Sequence, residues 1–88
     1  MSQWYVYMLR CSDGTYYSGV TTDLERRIKE HNGEGGAGKG AKYTKARRPV
    51  RLAYSETALD RSAAQKQEHA LRQLTRAEKQ KLAKGVQV

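Results

Sequence analysis

A chain of 88 residues has room for one domain with a modest core. Its 17 lysines and arginines against 9 acidic residues leave a formal charge of +8, which favours a polyanionic partner such as nucleic acid or an anionic membrane surface. The single cysteine, Cys11, excludes an intrachain disulfide and a cysteine-based zinc site, and no apolar run is long enough to span a bilayer.

No basic helix shows a broad aromatic-leucine face, which weighs against the membrane surface as partner. The start Met-Ser-Gln-Trp lacks a charged segment followed by an apolar one, so the expected location is cytoplasmic. Cys11 is expected as a small buried residue at the end of a strand rather than a reactive thiol.

Residues 3–11 alternate, with Trp4, Val6 and Met8 on one face and Tyr5, Tyr7 and Leu9 on the other. Both faces are apolar or aromatic, so this strand is expected at the centre of a sheet. Ser12-Asp13-Gly14 is a turn signal, and residues 15–20 form a second, antiparallel strand. A two-residue Asp-Gly turn would pair Arg10 with Tyr17 and turn Tyr17 away from Tyr7. A three-residue loop with a bulge at Gly14 pairs Leu9 with Tyr17 and Tyr7 with Gly19. Tyr5, Tyr7 and Tyr17 then share a face, and this register is preferred because it assembles a site. The plainer alternative makes these tyrosines ordinary sheet residues with hydroxyls at the rim.

Thr22 followed by Glu25 reads as a capping box that opens the first helix. The helix ends at His31-Asn32-Gly33, with Gly33 suited to a left-handed cap. Leu24, Arg27, Ile28 and His31 follow the i, i+3, i+4, i+7 spacing and share one stripe. Leu24 and Ile28 turn that stripe to the core, so Arg27 and His31 place a fixed cation and a titratable imidazole beside it. Tyrosines, an arginine and a histidine converging on one surface suggest a phosphate-handling site. Alternatively, Arg27 and His31 are a half-exposed pair at a helix end, where His31 suits the C-terminal dipole.

Residues 33–48 are rich in glycine and basic, with Lys39, Lys42, Lys45, Arg47 and Arg48 surrounding Tyr43. Such a flexible stretch is either a nucleic-acid clamp, with cations for phosphates and a ring for stacking, or a solvated linker. Pro49 opens a third strand over residues 50–55, with Val50, Leu52 and Tyr54 on one face. Asp60 or Ser62 caps a second helix over 61–73, whose apolar stripe is Ala63, Ala64, Ala70, Leu71 and Leu74. Glu68 projects from that packing face, and a metal ion or a cation must offset its burial. His69 is expected at the surface. Thr75 with Glu78 forms a capping box for a third helix over 76–84, basic, exposed and anchored by Leu82, and the tail 85–88 is expected to fray.

Tyr5-Val6-Tyr7, Tyr17-Ser18-Gly19, Arg27, His31 and Glu68, in that order, resemble the GIY-YIG nuclease domain. The most specific stretch is Gly19-Val-Thr-Thr-Asp-Leu-Glu-Arg-Arg-Ile-Lys-Glu-His-Asn32, which is similar to the compact single-domain bacterial members. The resemblance runs over about residues 3–82 of a single domain, 1–88. Tyr5 stands at the motif glycine and Ser18 at the motif isoleucine, neither of which supplies the family's chemistry. The expected fold is α+β, a small three-stranded antiparallel sheet flanked by helices in the order β-β-α-β-α-α.

The resemblance implies metal-dependent phosphodiester hydrolysis. Glu68 would hold one Mg²⁺ or Mn²⁺, Arg27 would bind a non-bridging phosphate oxygen, and Tyr17 or His31 would take the proton of the attacking water. Tyr7 would position that water, and Gly19 would let the backbone pack close to the first helix. The expected partner is DNA, in repair or in processing of branched or single-stranded DNA, with the chain a monomer and a protein partner supplying targeting. The competing expectations are a catalytically weak nucleic-acid-binding module, and a protein-interaction domain that docks through the last helix.

Overall fold

A strand that is apolar or aromatic on both faces is stable only between two covering layers. The computed structural model, which describes residues 3–34 and 41–84, places it there. Strand β1 (Trp4–Arg10) is the middle of a three-stranded antiparallel sheet, with β2 (Tyr16–Thr21) on one side and β3 (Arg51–Ala58) on the other. Val6, Tyr7, Met8 and Leu9 are all buried. Four helices complete the fold: α1 (Leu24–His31), the single turn α2 (Lys42–Lys45), α3 (Arg61–Arg72) and α4 (Arg76–Ala83). This is the expected α+β order with α2 added inside the basic stretch. The glycines between 35 and 40, Lys39 and the tail 85–88 lie outside the described residues.

The hairpin between β1 and β2 takes the three-residue loop. The Cys11 N–H donates to the Thr15 carbonyl at 2.8 Å, and Gly14 turns the chain at φ +83°. Asp13 Oδ1 accepts from both the Thr15 amide and hydroxyl, at 3.1 and 2.6 Å. Leu9 therefore faces Tyr17 and Tyr7 faces Gly19. One layer forms where Tyr7, Leu9, Cys11 and Val50 pack with Tyr17, Leu24 and Ile28 of α1. The other forms where Val6, Ala58, Ala64 and Leu71 pack with Trp4, Val20, Tyr54 and Leu82.

Strand β3 departs from the expected pattern. Met8 pairs with Tyr54 but Leu9 pairs with Leu52, so Ala53 is an extra residue in a β-bulge. The bulge reverses the facing, so Val50 joins the α1 layer, Tyr54 joins the α3 layer and Leu52 is left exposed. The strand also runs longer than expected, to Ala58, and Pro49 precedes it by two residues. In α3, Ala70 is exposed rather than part of the packed stripe.

The cap of α1 also differs. Asp23, not Thr22, is the N-cap, and its Oδ1 accepts from the Arg26 amide at 3.1 Å. With Arg26 three residues after the cap, no reciprocal box can close. At the other end, Glu34 N–H donates to the Lys29 carbonyl and Gly33 N–H to the Glu30 carbonyl, with Gly33 at φ +90°. This is a Schellman closure. Asp60 caps α3 through the Ala63 amide at 2.8 Å, and Thr75 with Glu78 closes the expected capping box on α4. Among the described residues no helix is long and apolar enough to cross a membrane.

Asn32, the last residue of the α1 turn, clips the helix to the start of β3. Its Nδ2 donates to the Val50 carbonyl at 2.9 Å, and its Oδ1 accepts from the Val50 amide at 2.7 Å. Val50 is buried, so both backbone groups depend on this side chain. Asn32→Ala should lower the unfolding free energy by about 1–3 kcal/mol in urea titrations, because it strands a buried donor and acceptor. An unchanged midpoint would show that the clip is dispensable.

Candidate active site

Tyr7 enters the site from the middle strand, and Gly19 faces it from the edge strand. A Cβ at Gly19 would lie 2.6 Å from Tyr7 Cζ, so the Tyr7 ring rests where any side chain would stand. Gly19 thus seats Tyr7, rather than admitting the backbone to α1 as the sequence suggested. The tyrosine is then held with its hydroxyl 2.9 Å from His31 Nε2 on the buried stripe of α1.

His31 is fully buried, and its second nitrogen faces α2. Nδ1 lies 2.9 Å from Thr44 Oγ1 and 3.3 Å from the Ala41 amide nitrogen, while Thr44 Oγ1 donates to the Ala41 carbonyl at 2.9 Å. Thr44 has one hydroxyl proton, and the Ala41 carbonyl takes it. Nε2 and the Tyr7 hydroxyl share a single proton between them in their 2.9 Å bond. Burial, reinforced by the Arg27 charge, holds the His31 pKa down at about 4. Burial pushes Tyr7 up to about 12 against the pull of Arg27. At neutral pH the pair is therefore a protonated phenol hydrogen-bonded to a neutral imidazole.

Arg27 lies against the Tyr7 hydroxyl and donates from Nη1 to Glu30 Oε1 at 2.9 Å. Tyr17 presents its ring edge-on to His31 at 5.3 Å and stacks on Tyr43 at 5.7 Å. Arg47 covers the Tyr43 ring at 3.9 Å, while pairing with Asp13 at 3.0 Å. Arg48 Nε donates to the His31 carbonyl at 2.6 Å.

An open cleft of about 600 Å³ runs along β2, walled by Tyr16, Tyr17, Gly19 and Tyr43 on one side and by Glu68, Arg72 and Lys79 on the other. Glu68 is near enough for its charge to act on Tyr7, and its Oε2 pairs with Arg72 Nη1 at 3.3 Å. Among the described residues, no three His, Cys, Asp or Glu side chains gather as a metal cluster. One cleft-facing carboxylate still fits a hard cation that takes its remaining ligands from water and phosphate.

Of the residues singled out from sequence, Tyr7, Tyr17, Gly19, Arg27, His31 and Glu68 converge here, with Tyr5 half-buried further along β1. Lys42, Lys45 and Tyr43 are exposed on α2, Arg47 and Arg48 are half-buried with internal partners, and Lys39 lies outside the described residues. Sequence reasoning missed Thr44, Arg72 and Lys79. Thr44 gave no signal among the cations around it. Arg72, four residues after Glu68 on one helix, did.

Residues 3–82 match the family model of the GIY-YIG catalytic domain. A UPF0213 protein of Desulfotalea psychrophila is 52% identical over 82 residues, covering 93% of this chain and 72% of the relative. One from Halobacterium salinarum is 50% identical over 78 residues, covering 89% and 96%. The solution NMR structure of a UPF0213 protein from Bacillus halodurans superposes with a TM-score of 0.54 at 41% identity, covering 93% of this chain and 83% of that one. That of a protein from E. faecalis gives 0.59 at 39% identity, covering 98% and 91%.

Two outcomes test the geometry. Gly19→Ala should displace the Tyr7 ring and shift the Tyr7 and His31 resonances together; an unperturbed spectrum would contradict the contact. The His31 imidazole should titrate by NMR near pH 4, below its ordinary 6.5. Between these values the unfolded chain binds a proton that the folded chain refuses, so stability rises with pH across the window and is fully present above it, by up to about 3 kcal/mol. A midpoint at 6.5 or higher would remove this contribution.

Proposed function

The chain belongs to the GIY-YIG domain family, and from that membership we propose that it is an endonuclease hydrolysing phosphodiester bonds in DNA with Mg²⁺ or Mn²⁺. The observation that carries this reading is the Tyr7–His31 hydrogen bond, a hydroxyl backed by a neutral imidazole, set beside a cleft that holds Glu68.

Glu68 would hold the divalent ion, which when bound polarises the scissile phosphate and stabilises the leaving oxygen. Arg27 offers its fork to a non-bridging phosphate oxygen, where developing negative charge needs a cation that stays protonated. His31 is fully buried, with Nε2 against the Tyr7 hydroxyl and the Tyr17 ring of the cleft wall edge-on to it. We therefore assign the proton to a relay. The attacking water gives its proton to the Tyr7 oxygen as the Tyr7 proton passes to His31 Nε2, and hydroxide adds to phosphorus as the leaving oxygen departs. The relay requires the imidazole proton on Nδ1, where Thr44 Oγ1 at 2.9 Å would accept it. Tyr17, on the cleft wall, positions the water. The substrates we assign are branched or single-stranded DNA in repair or processing, with the chain a cytoplasmic monomer and targeting supplied by a protein partner.

One observation favours a second reading, a binding module with weak catalysis. Glu68 is paired with Arg72, and among the described residues no other acid lines the cleft. Cleavage of labelled duplex, single-stranded and branched DNA in Mg²⁺, Mn²⁺ or EDTA separates the two. Metal-dependent cleavage by the native protein should be abolished in Glu68→Ala, while DNA binding in EDTA persists. Equal cleavage by that variant would sink the mechanism, and binding without cleavage by either protein would establish the module.

A further inference from the structure

The cleft does not end at Glu68. A second hollow of about 230 Å³ continues it toward the β1–β2 hairpin, and the two share Tyr16, Tyr43 and Lys79. Tyr16 lies on the face of β2 that looks to α4, and Tyr43 stacks on Tyr17 of the opposite face, so the two tyrosines flank the outer edge of β2, whose position at the sheet margin leaves it uncovered by a strand. Arg72, Lys79 and Arg76 line the same trough from the end of α3 onto α4. Among the described residues Glu68 is the only acidic one lining either hollow. The Arg76 guanidinium reaches the Gly14 carbonyl at 3.4 Å, which holds it over the hairpin end of the trough. Among the described residues Lys79 has no carboxylate partner, and Tyr43 is 37% exposed.

A trough lined by tyrosine rings and by cations matches one ligand chemistry, a polyanion with unstacked aromatic bases. A duplex keeps its base faces stacked on one another and offers the rings nothing. We propose that Tyr16, Tyr43, Arg72, Arg76 and Lys79 form a track for single-stranded DNA, which carries the strand away from the scissile phosphate toward the hairpin. Arg72 has a double part. While Glu68 is without an ion, Arg72 neutralises it; once an ion takes the carboxylate, the guanidinium is released to a phosphate of the track. The assignment deepens the nuclease reading and rests on it for the position of the scissile bond. It also gives the basic face of α4 to nucleic acid rather than to a protein.

Anisotropy of a fluorescein-labelled 12-nucleotide DNA single strand, its duplex and an RNA of the same sequence tests the track in EDTA, where nothing is cut. Arg76→Glu/Lys79→Glu should weaken single-strand binding by at least about tenfold and flatten its salt slope by about 1.4, the loss of two phosphate contacts. Tyr16→Ala should weaken it about tenfold and Tyr16→Phe leave it intact, since the ring supplies the stacking. The control Arg61→Glu/Lys66→Glu reverses as many charges at exposed positions of α3 away from the cleft, and should bind as the native chain does. Matching thermal melts establish that each variant is folded. Native-like binding by the Arg76/Lys79 variant, an equal loss in the control, or tighter binding of duplex or RNA than of single-stranded DNA would each overturn the proposal. The catalytic reading fails separately: if Glu68→Ala cleaves normally while the track variants lose binding, the track stands and the mechanism falls.

Discussion

Everything in the site depends on keeping a tyrosine hydroxyl and an imidazole together, buried and uncharged. Tyr7 sits on the central strand, covered on both faces, and His31 on the stripe of α1 that packs against the Tyr7 face. Removing an imidazolium from water is costly, which is why the proton is refused until the medium is quite acidic. A polar pair in such a place must satisfy all its hydrogen-bonding capacity internally, and it does. No buried side-chain nitrogen or oxygen among the described residues lacks a partner. Thr44 and the Ala41 carbonyl complete the chain of bonds, so α2 is a structural requirement of His31 rather than a stray turn in a loop.

The surrounding architecture fixes the geometry of that pair. Gly19 sets the height of the Tyr7 ring, because any side chain there would collide with it. The Schellman closure and the Asn32 clip set the end of α1 against β3, and Arg48 adds a bond to the His31 carbonyl. Three devices thus converge within two residues of the imidazole. A histidine at a frayed helix end would sample several rotamers and could not hold one tautomer.

Much of this was legible in the sequence where local rules dominate. The loop Ser12-Asp13-Gly14 determines the register, and the register puts Tyr7 opposite Gly19. The spacing of Leu24, Arg27, Ile28 and His31 gives the stripe directly, because four residues on an eight-residue helix leave little freedom. What escaped were features set by the partner rather than by the strand or helix itself. The bulge at Ala53 answers the crossing of β3 over β1, and nothing in residues 50–55 marks it, so Val50 and Tyr54 were put on one face when they lie on two. Thr44 matters only because His31 ends 13 residues earlier in the sequence and beside it in space. Asp23 displaced Thr22 as cap although either side chain could accept the bond. Thr21 settles the choice, since its hydroxyl accepts from the Asp23 amide and turns the chain one residue later.

If Glu68 holds the ion as proposed, its electrostatics explain how one carboxylate could serve. Without an ion its charge is balanced by Arg72 on the next turn, a half-exposed pair worth at most about 1 kcal/mol. That is a weak lock, easily opened by a divalent cation arriving with a phosphate. A site with two or three acids would instead capture an ion alone, and would then repel a polyanion unless the ion were always present. On the proposed reading a chain of charge +8 would attract the nucleic acid first, and the phosphate oxygens would supply the ligands that the protein does not. The single acid of the cleft and the basic surface are then one design: the ion would be held only where the substrate completes its shell, and the arginine that the ion displaces from Glu68 would be left beside the phosphate that arrives with it.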